Sequence, residues 1–271
     1  MTPAQFATVA RFLRERCGLA LGPGKEYLVE DRLAPVAERF GATSAGELAG
    51  GVRAAARAVQ EAVVEALLTP ETSFFRDRDP FDALRAAVLP DLIQRRSATR
   101  ALSVWSAGCA TGQEPYSFAM LVREHFPELS RWRLDVRATD VSADALAKAQ
   151  AGLYSDFELR RGLSDAQRER YFRPADGDRW RLRADVRAAV TFAELNLAGP
   201  WPPQPPADLV LLRNVLIYFD PDAKRSVLTR LAGVLRPDGY LLLGAAESPH
   251  ALDLPFRRVP GLDGAFYRRA G

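Results

Sequence analysis

The sequence predicts an α/β fold with a small helical domain ahead of a mostly parallel sheet, and three observations carry that expectation. The first seventy residues show only helical periodicity. From Leu84 onward, short β-branched and aromatic runs alternate with helical stretches. Glycines, acids and an asparagine collect where those runs end. Such alternation implies a parallel sheet covered on both faces.

The N-terminal part is read element by element. Phe6, Val9, Ala10, Leu13 and Cys17 form one apolar stripe at helical spacing. The segment GLALGPGK then breaks the helix. In the next pattern Val29, Leu33, Val36 and Phe40 face inward, while Lys25, Arg32 and Arg39 recur every seven residues on another face. Pro35 lacks the N–H that pairs one turn back, so a kink or two short helices is expected. A third helix is expected over roughly Val52 to Leu68, with Arg57 four residues before Glu61 and a stop at Thr69-Pro70.

The C-terminal part alternates. ALSVWSAG (101–108) reads as a strand opening into Gly108 and Gly112, and QEPYSFAMLVREHF (113–126) as a helix. WRLDVRATD (132–140) is a strand ending in an acid, and Ser142 is placed to cap the helix after it. ADLVLLRNVLIYF (207–219) is a buried strand running into a loop, followed by a helix beginning near Pro221 and a last strand at YLLLGAAES. Arg179, Arg181 and Arg183 alternate with Trp180 and Leu182, and ADGD (175–178) supplies a turn before them. That pattern predicts a small antiparallel insertion, about 165–192. The domains expected are therefore 1–70, helical, and 71–271, α/β.

Composition narrows the function classes. Of 271 residues, 48% are hydrophobic and 26% charged, as in an ordinary globular protein. No run of 18 apolar residues spans a membrane, and the N-terminus carries charge too early for a secretory signal. Two cysteines and two histidines without paired spacing leave little for a disulfide framework or a metal site. A reducing cytoplasm is the expected location. Net charge is +3, but residues 1–75 hold 8 basic and 9 acidic residues, while 160–190 hold 9 arginines and 5 acids. A nucleic-acid binder usually shows a broader basic field with interleaved aromatics.

Ligands of doubly wound sheets bind beyond the carboxyl ends of the strands. Three features fall there: SAGCATGQEP (106–115) with Glu114 at a helix start, ATD ending in Asp140, and LLRNVLIYF carrying Asn214. Each has a plainer reading, as a glycine turn, a helix-capping acid or a turn asparagine. Together they suit an adenosine cofactor whose ribose is held by Asp140. The G-x-G-x-x-G dinucleotide fingerprint is missing, and acids suit a positive sulfonium. S-adenosylmethionine is therefore the expected cofactor, with no metal.

The motifs TSFFRD (72–77), WSAGCATGQEPYS (105–117), ATDVSADALAKAQAGLY (138–154), LNL (195–197) and RNVLIYFD (213–220) give the chain its resemblance to the chemotaxis-receptor glutamate methyltransferases, the CheR family. The resemblance covers nearly the whole chain. It implies a helical substrate-docking domain joined to a Rossmann-like class I S-adenosylmethionine-dependent methyltransferase domain with an inserted antiparallel β-subdomain. It further implies methyl transfer to glutamate side chains on the cytoplasmic helices of chemotaxis-type receptors, with no nucleic-acid partner and no membrane insertion. The alternatives are a cofactor-binding regulatory protein without turnover and, behind it, a nucleic-acid methyltransferase.

By the same resemblance, Thr72 and Arg76 contact the cofactor near the methyl-transfer centre, and Gly108 lies in the cofactor loop. Glu114 sits by the methionine ammonium and Asp140 by the ribose. Asn196 and Leu197 border the adenine, Asn214 and Val215 line the site, and Tyr218 is a further pocket residue and, with Arg76, a candidate catalytic residue. Lys25, Arg32 and Arg39 are the candidate substrate contacts, although Glu26, Glu30, Asp31 and Glu38 dilute their charge. Two departures stand out. Pro70 replaces an asparagine found in many members, and the short RPADGDRW turn implies independence of a receptor peptide tether. A carboxylate nucleophile needs no general base, so positioning and electrostatics should carry the rate, with Arg76 orienting the incoming carboxylate.

Overall fold

The computed structural model describes residues 1–270. Four helices open the chain: α1 (Pro3–Cys17), α2 (Glu26–Phe40), α3 (Ala45–Gly51) and α4 (Arg57–Leu67). Thr2 and Gln5 form a capping box at the start of α1, satisfying N–H groups that a helix start leaves free. Phe6, Val9, Phe12, Leu13 and Cys17 are its buried face, so Phe12 joins the predicted stripe and Ala10 sits at the margin.

Three expectations for this region are corrected. Helix α2 runs unbroken through Pro35, because Pro35 and Asp31 are both exposed and water can serve the carbonyl left without an N–H partner. Ala37, not Phe40, completes its buried face with Val29 and Leu33. The predicted helix over 52–68 is divided, with a 3-10 turn at Val52–Ala54 and extended backbone at Ala55 and Ala56 before α4. The Gln60 amide donates to the carbonyls of Val52 and Ala55 at 3.2 and 3.1 Å, which stabilises the break. The Arg57–Glu61 pair forms at 2.6 Å as expected.

After a linker come α5 (Asp79–Ala83), a π-turn (Leu84–Val88) and α6 (Leu89–Arg96), which lead into β1 (Ala101–Ala107). Next are α7 (Gln113–His125), β2 (Arg133–Asp140), α8 (Ala143–Ala151), β3 (Leu153–Ser155), α9 (Asp156–Arg160) and α10 (Asp165–Tyr171). They are followed by β4 (Phe172–Pro174), β5 (Arg179–Leu182), α11 (Ala184–Arg187), β6 (Thr191–Glu194) and β7 (Ala207–Leu212). Helix α12 (Pro221–Val234), β8 (Leu235–Leu243), β9 (Phe256–Arg258) and β10 (Ala265–Arg269) complete the chain.

Seven strands form one sheet in the order β6-β2-β1-β7-β8-β10-β9, parallel from β6 to β8, with β10 antiparallel to β8 and to β9. Alternate residues of β7 enter opposite layers. Leu209 and Leu211 pack with α6 and α7, while Val210 and Leu212 pack with Val227, Leu228 and Leu231 of α12. Strand periodicity of two thus supplies both halves of the core. The order turns back between β1 and β7, which opens a crevice at the carboxyl ends of those strands.

The insertion is a three-stranded antiparallel sheet, β3-β5-β4. It begins at Leu153, earlier than the expected 165, because Tyr154 pairs with Trp180 across the two strands. It ends before Thr191, which already belongs to the main sheet. Tyr154, Phe172 and Leu182 share the core that contains Phe74, so the insertion is packed onto the α/β domain. Among the described residues no helix is long and apolar enough to cross a membrane.

At the amino end of the sheet, Arg96 is a hub. Its guanidinium donates to Asp208 at 2.6 Å and to Asp238 at 2.9 and 2.6 Å. The Asp208 side chain is only 2% exposed and also accepts the Ser103 N–H. Removing Arg96 would leave the buried Asp208 with only the more exposed Arg236, 3.3 Å away, as a cationic partner, and Asp238 without its hydrogen-bonded guanidinium. Arg96→Met should therefore lower the unfolding free energy by about 3 kcal/mol in urea titration. Cofactor affinity, which depends on the opposite end of the sheet, should not change.

Candidate active site

A cleft opens at the carboxyl ends of β1, β2, β6 and β7. Thr72, Arg76, Gly108, Glu114, Asp140, Asn196, Leu197, Asn214, Val215 and Tyr218 all line it. The helical domain supplies Cys17, Leu19 and Leu68 to the wall, and the linker supplies residues 69–72. The two parts are tied together nearby. The Ala20 N–H donates to the Tyr218 carbonyl at 2.8 Å, and Glu65 accepts from the Ser142 hydroxyl and Ala143 N–H at the start of α8.

Local backbone geometry sets each side chain. Gly108 has φ +77, and a Cβ there would meet Val215 Cγ2 at 2.4 Å, so only glycine permits this approach of β1 to the β7 loop. Asp140 accepts from the Ala110 N–H at 2.7 Å and the Ser142 N–H at 3.0 Å, leaving further lone pairs toward the cleft. Burial pushes its carboxyl above the usual aspartate range, and the loop N–H groups partly oppose that shift. The cap of α8 is Ser142, so Asp140 is not needed for capping.

Two side chains here went unremarked in the sequence. Arg213 is 2% exposed and joins three oxygens: Glu114 at 3.3 Å, Asp77 at 2.8 Å and the Arg76 carbonyl at 2.9 Å. Glu114 also accepts from Ser106 Oγ at 2.8 Å. Glu247 is buried and accepts the N–H groups of Asn214, Gly244 and Ile217 at 2.9, 2.7 and 3.2 Å, which fixes the loop after β7. A charge directly after the four-residue apolar run Leu209 to Leu212 was the available signal for Arg213. Nothing in the local pattern marks Glu247.

Residues 70–261 match the profile of the CheR methyltransferase, SAM binding domain, and residues 4–68 match that of the CheR methyltransferase, all-alpha domain. The chain belongs to the CheR methyltransferase family. Chemotaxis protein methyltransferase 1 of Pseudomonas aeruginosa is 39% identical, over 98% of this chain and 97% of the relative. Chemotaxis protein methyltransferase Cher2 of Pseudomonas putida is 38% identical, over 95% and 94%. The chemotaxis protein methyltransferase of Escherichia coli is 32% identical, over 94% and 88%.

The cofactor of this CheR domain is S-adenosylmethionine, and the cleft suits it. The buried Asn214 Oδ1 has no hydrogen-bond partner among the described residues, an acceptor kept open in the cleft wall. The acids Glu114 and Asp140 lie in the same wall. Asn196 is held on both sides, donating to the Arg16 carbonyl at 2.6 Å and accepting the Ala198 N–H at 3.0 Å.

The candidate substrate residues on α2 are not gathered into one free face. Lys25 lies just before the helix and is exposed. Arg32 donates to the carbonyls of Leu67 and Leu68 and to Thr69 Oγ1, so it is occupied with the end of α4. Arg39 is exposed, over the Phe40 ring at 5.1 Å. Phe75 stacks edge-on with Phe81 at 5.2 Å, and neither it nor Phe74 lines the cofactor cleft.

Glu247→Gln keeps the shape but turns one accepting oxygen into a donor facing N–H groups. Cofactor affinity should fall about tenfold by calorimetry, since a hydrogen bond to a charged group contributes 1.5–3 kcal/mol. Equal affinity with an unchanged circular dichroism spectrum would show that the β7 loop holds its shape without Glu247.

Proposed function

We propose that this CheR-family protein methylates glutamate side chains on the cytoplasmic helices of chemotaxis receptors, forming methyl esters. The observation that carries this reading is the state of Arg76. Its side chain lines the cleft and makes no ion pair among the described residues. It gives one hydrogen bond, to the Glu71 carbonyl at 3.1 Å. The neighbouring acid that would have neutralised it, Asp77, is held by Arg213 instead. A planar, permanently charged fork is thus left for a carboxylate.

When bound, S-adenosylmethionine supplies an electrophilic sulfonium methyl, which a glutamate carboxylate oxygen takes in line as S-adenosylhomocysteine departs. That oxygen is already ionised at neutral pH, so the chain has only to bind, orient and exclude water. Asp140 holds the ribose, Glu114 the methionine ammonium, and Asn196 and Leu197 border the adenine. Thr72 and Tyr218 flank the transfer centre, with Asn214 and Val215 behind them. The hairpin between β4 and β5 turns over residues 175–178 only, which supports methylation without a receptor peptide tether.

Arg76→Ala should abolish most methyl transfer from tritiated cofactor to receptor fragments while the fold, read by circular dichroism, survives. Full turnover would remove Arg76 from the mechanism. Asp140→Ala should weaken cofactor binding by about 10- to 150-fold, the loss of one charge-assisted hydrogen bond. Base-labile esters on receptor fragments, formed equally with and without their C-terminal segments, would establish both substrate and tether independence. Cofactor binding without ester formation on any fragment would instead mark a regulatory protein.

A further inference from the structure

A second groove opens on the far side of Arg76, and Arg76 lines both it and the cofactor cleft. Its lining carries four arginines, Arg76, Arg78, Arg160 and Arg161, against one acid, Asp77. Asp77 is already paired with Arg213 at 2.8 Å. Neither Arg76 nor Arg78 has an ion-pair partner among the described residues. Arg160 pairs with Asp156, and Arg161 with Glu71 at 3.1 Å, but these side chains are 68%, 38%, 43% and 59% exposed. Such surface pairs are weak and readily exchanged for another anion.

The two halves of the groove are held in register by contact of backbones. A Cβ on Gly162 would lie 1.7 Å from the Phe74 carbonyl oxygen. The loop carrying Arg160 and Arg161 therefore rests directly on the segment carrying Arg76 and Arg78. On α2, by contrast, Arg32 is occupied and the remaining cations stand among Glu26, Glu30, Asp31 and Glu38.

We propose that the arginine groove is the docking surface for an acidic helical substrate. Arg78, Arg160 and Arg161 engage carboxylates flanking the target glutamate, whose own carboxylate reaches Arg76 at the inner end. Acids three, four or seven residues from the target share its helix face and can meet these guanidinium groups together. This rests on glutamate methylation as the function.

The test uses the full chain and a receptor fragment that the parent protein esterifies. Arg160→Glu/Arg161→Glu should raise KM for the fragment about tenfold and flatten its salt dependence, because charge at an interface rim governs encounter. kcat should stay within about twofold, as no reacting group is removed. Calorimetry with S-adenosylhomocysteine should give the parent affinity, which also shows that the variant folds. A fragment whose flanking acids are replaced by lysine should recover rate with the variant and lose it with the parent. An unchanged KM, or a larger effect from Lys25→Glu/Arg39→Glu, overturns the groove while leaving the function intact. Competition by single-stranded DNA without any effect of the reversals on receptor methylation overturns it as well. A parent protein that esterifies no receptor fragment removes the functional reading and the groove with it.

Discussion

The Arg213 guanidinium lies where water scarcely reaches, and a charge so placed persists only if it is matched. Glu114 and Asp77 match it, and the Arg76 carbonyl takes a further N–H. Those partners come from α7 and from the linker between the domains, so one buried cation joins the end of β7, the start of α7 and the linker. Its consumption of Asp77 is what leaves the adjacent Arg76 unpaired. The reactivity proposed for Arg76 is therefore a consequence of charge bookkeeping one residue away.

Backbone strain follows the same geography. Among the described residues, seven non-glycine residues have positive φ, and five of them, Phe75, Asp77, Arg78, Ala110 and Asn214, lie on the three segments that meet at the cleft. Conformations of this kind are costly for L-residues and persist where surrounding contacts over-determine them. Here the contacts are visible: Phe74 is locked edge-on between Tyr154 and Phe172, Ser117 accepts the Phe75 N–H, and Glu247 accepts that of Asn214. The inserted sheet thus contributes to the site by clamping Phe74.

The parts legible in the sequence were those written in periodicity or in local motif. The parallel strands, the helices flanking them and the Ser142 cap follow from spacing alone, and the cleft residues from motifs at strand ends. What escaped depends on partners distant in the chain. Arg32 looks like a surface cation until α4, some 35 residues later, brings its terminal carbonyls to it. Glu247 works only through three N–H groups gathered by folding, and Leu153 joins the insertion only because β5 returns beside it.

The proposed reaction moves no protons, so its charged residues are used differently from those of an acid–base enzyme. In that proposal the acids of the cleft hold cofactor or brace arginines, and the cations receive an anion. Both mouths of the site meet at Arg76, with the cofactor side built from strand ends and the groove side from the linker and the insertion. Substrate preference can then change through the surface arginines of the groove without disturbing the buried Arg213 network. That separation follows from burial, since the exposed pairs exchange partners at little cost while the buried one cannot.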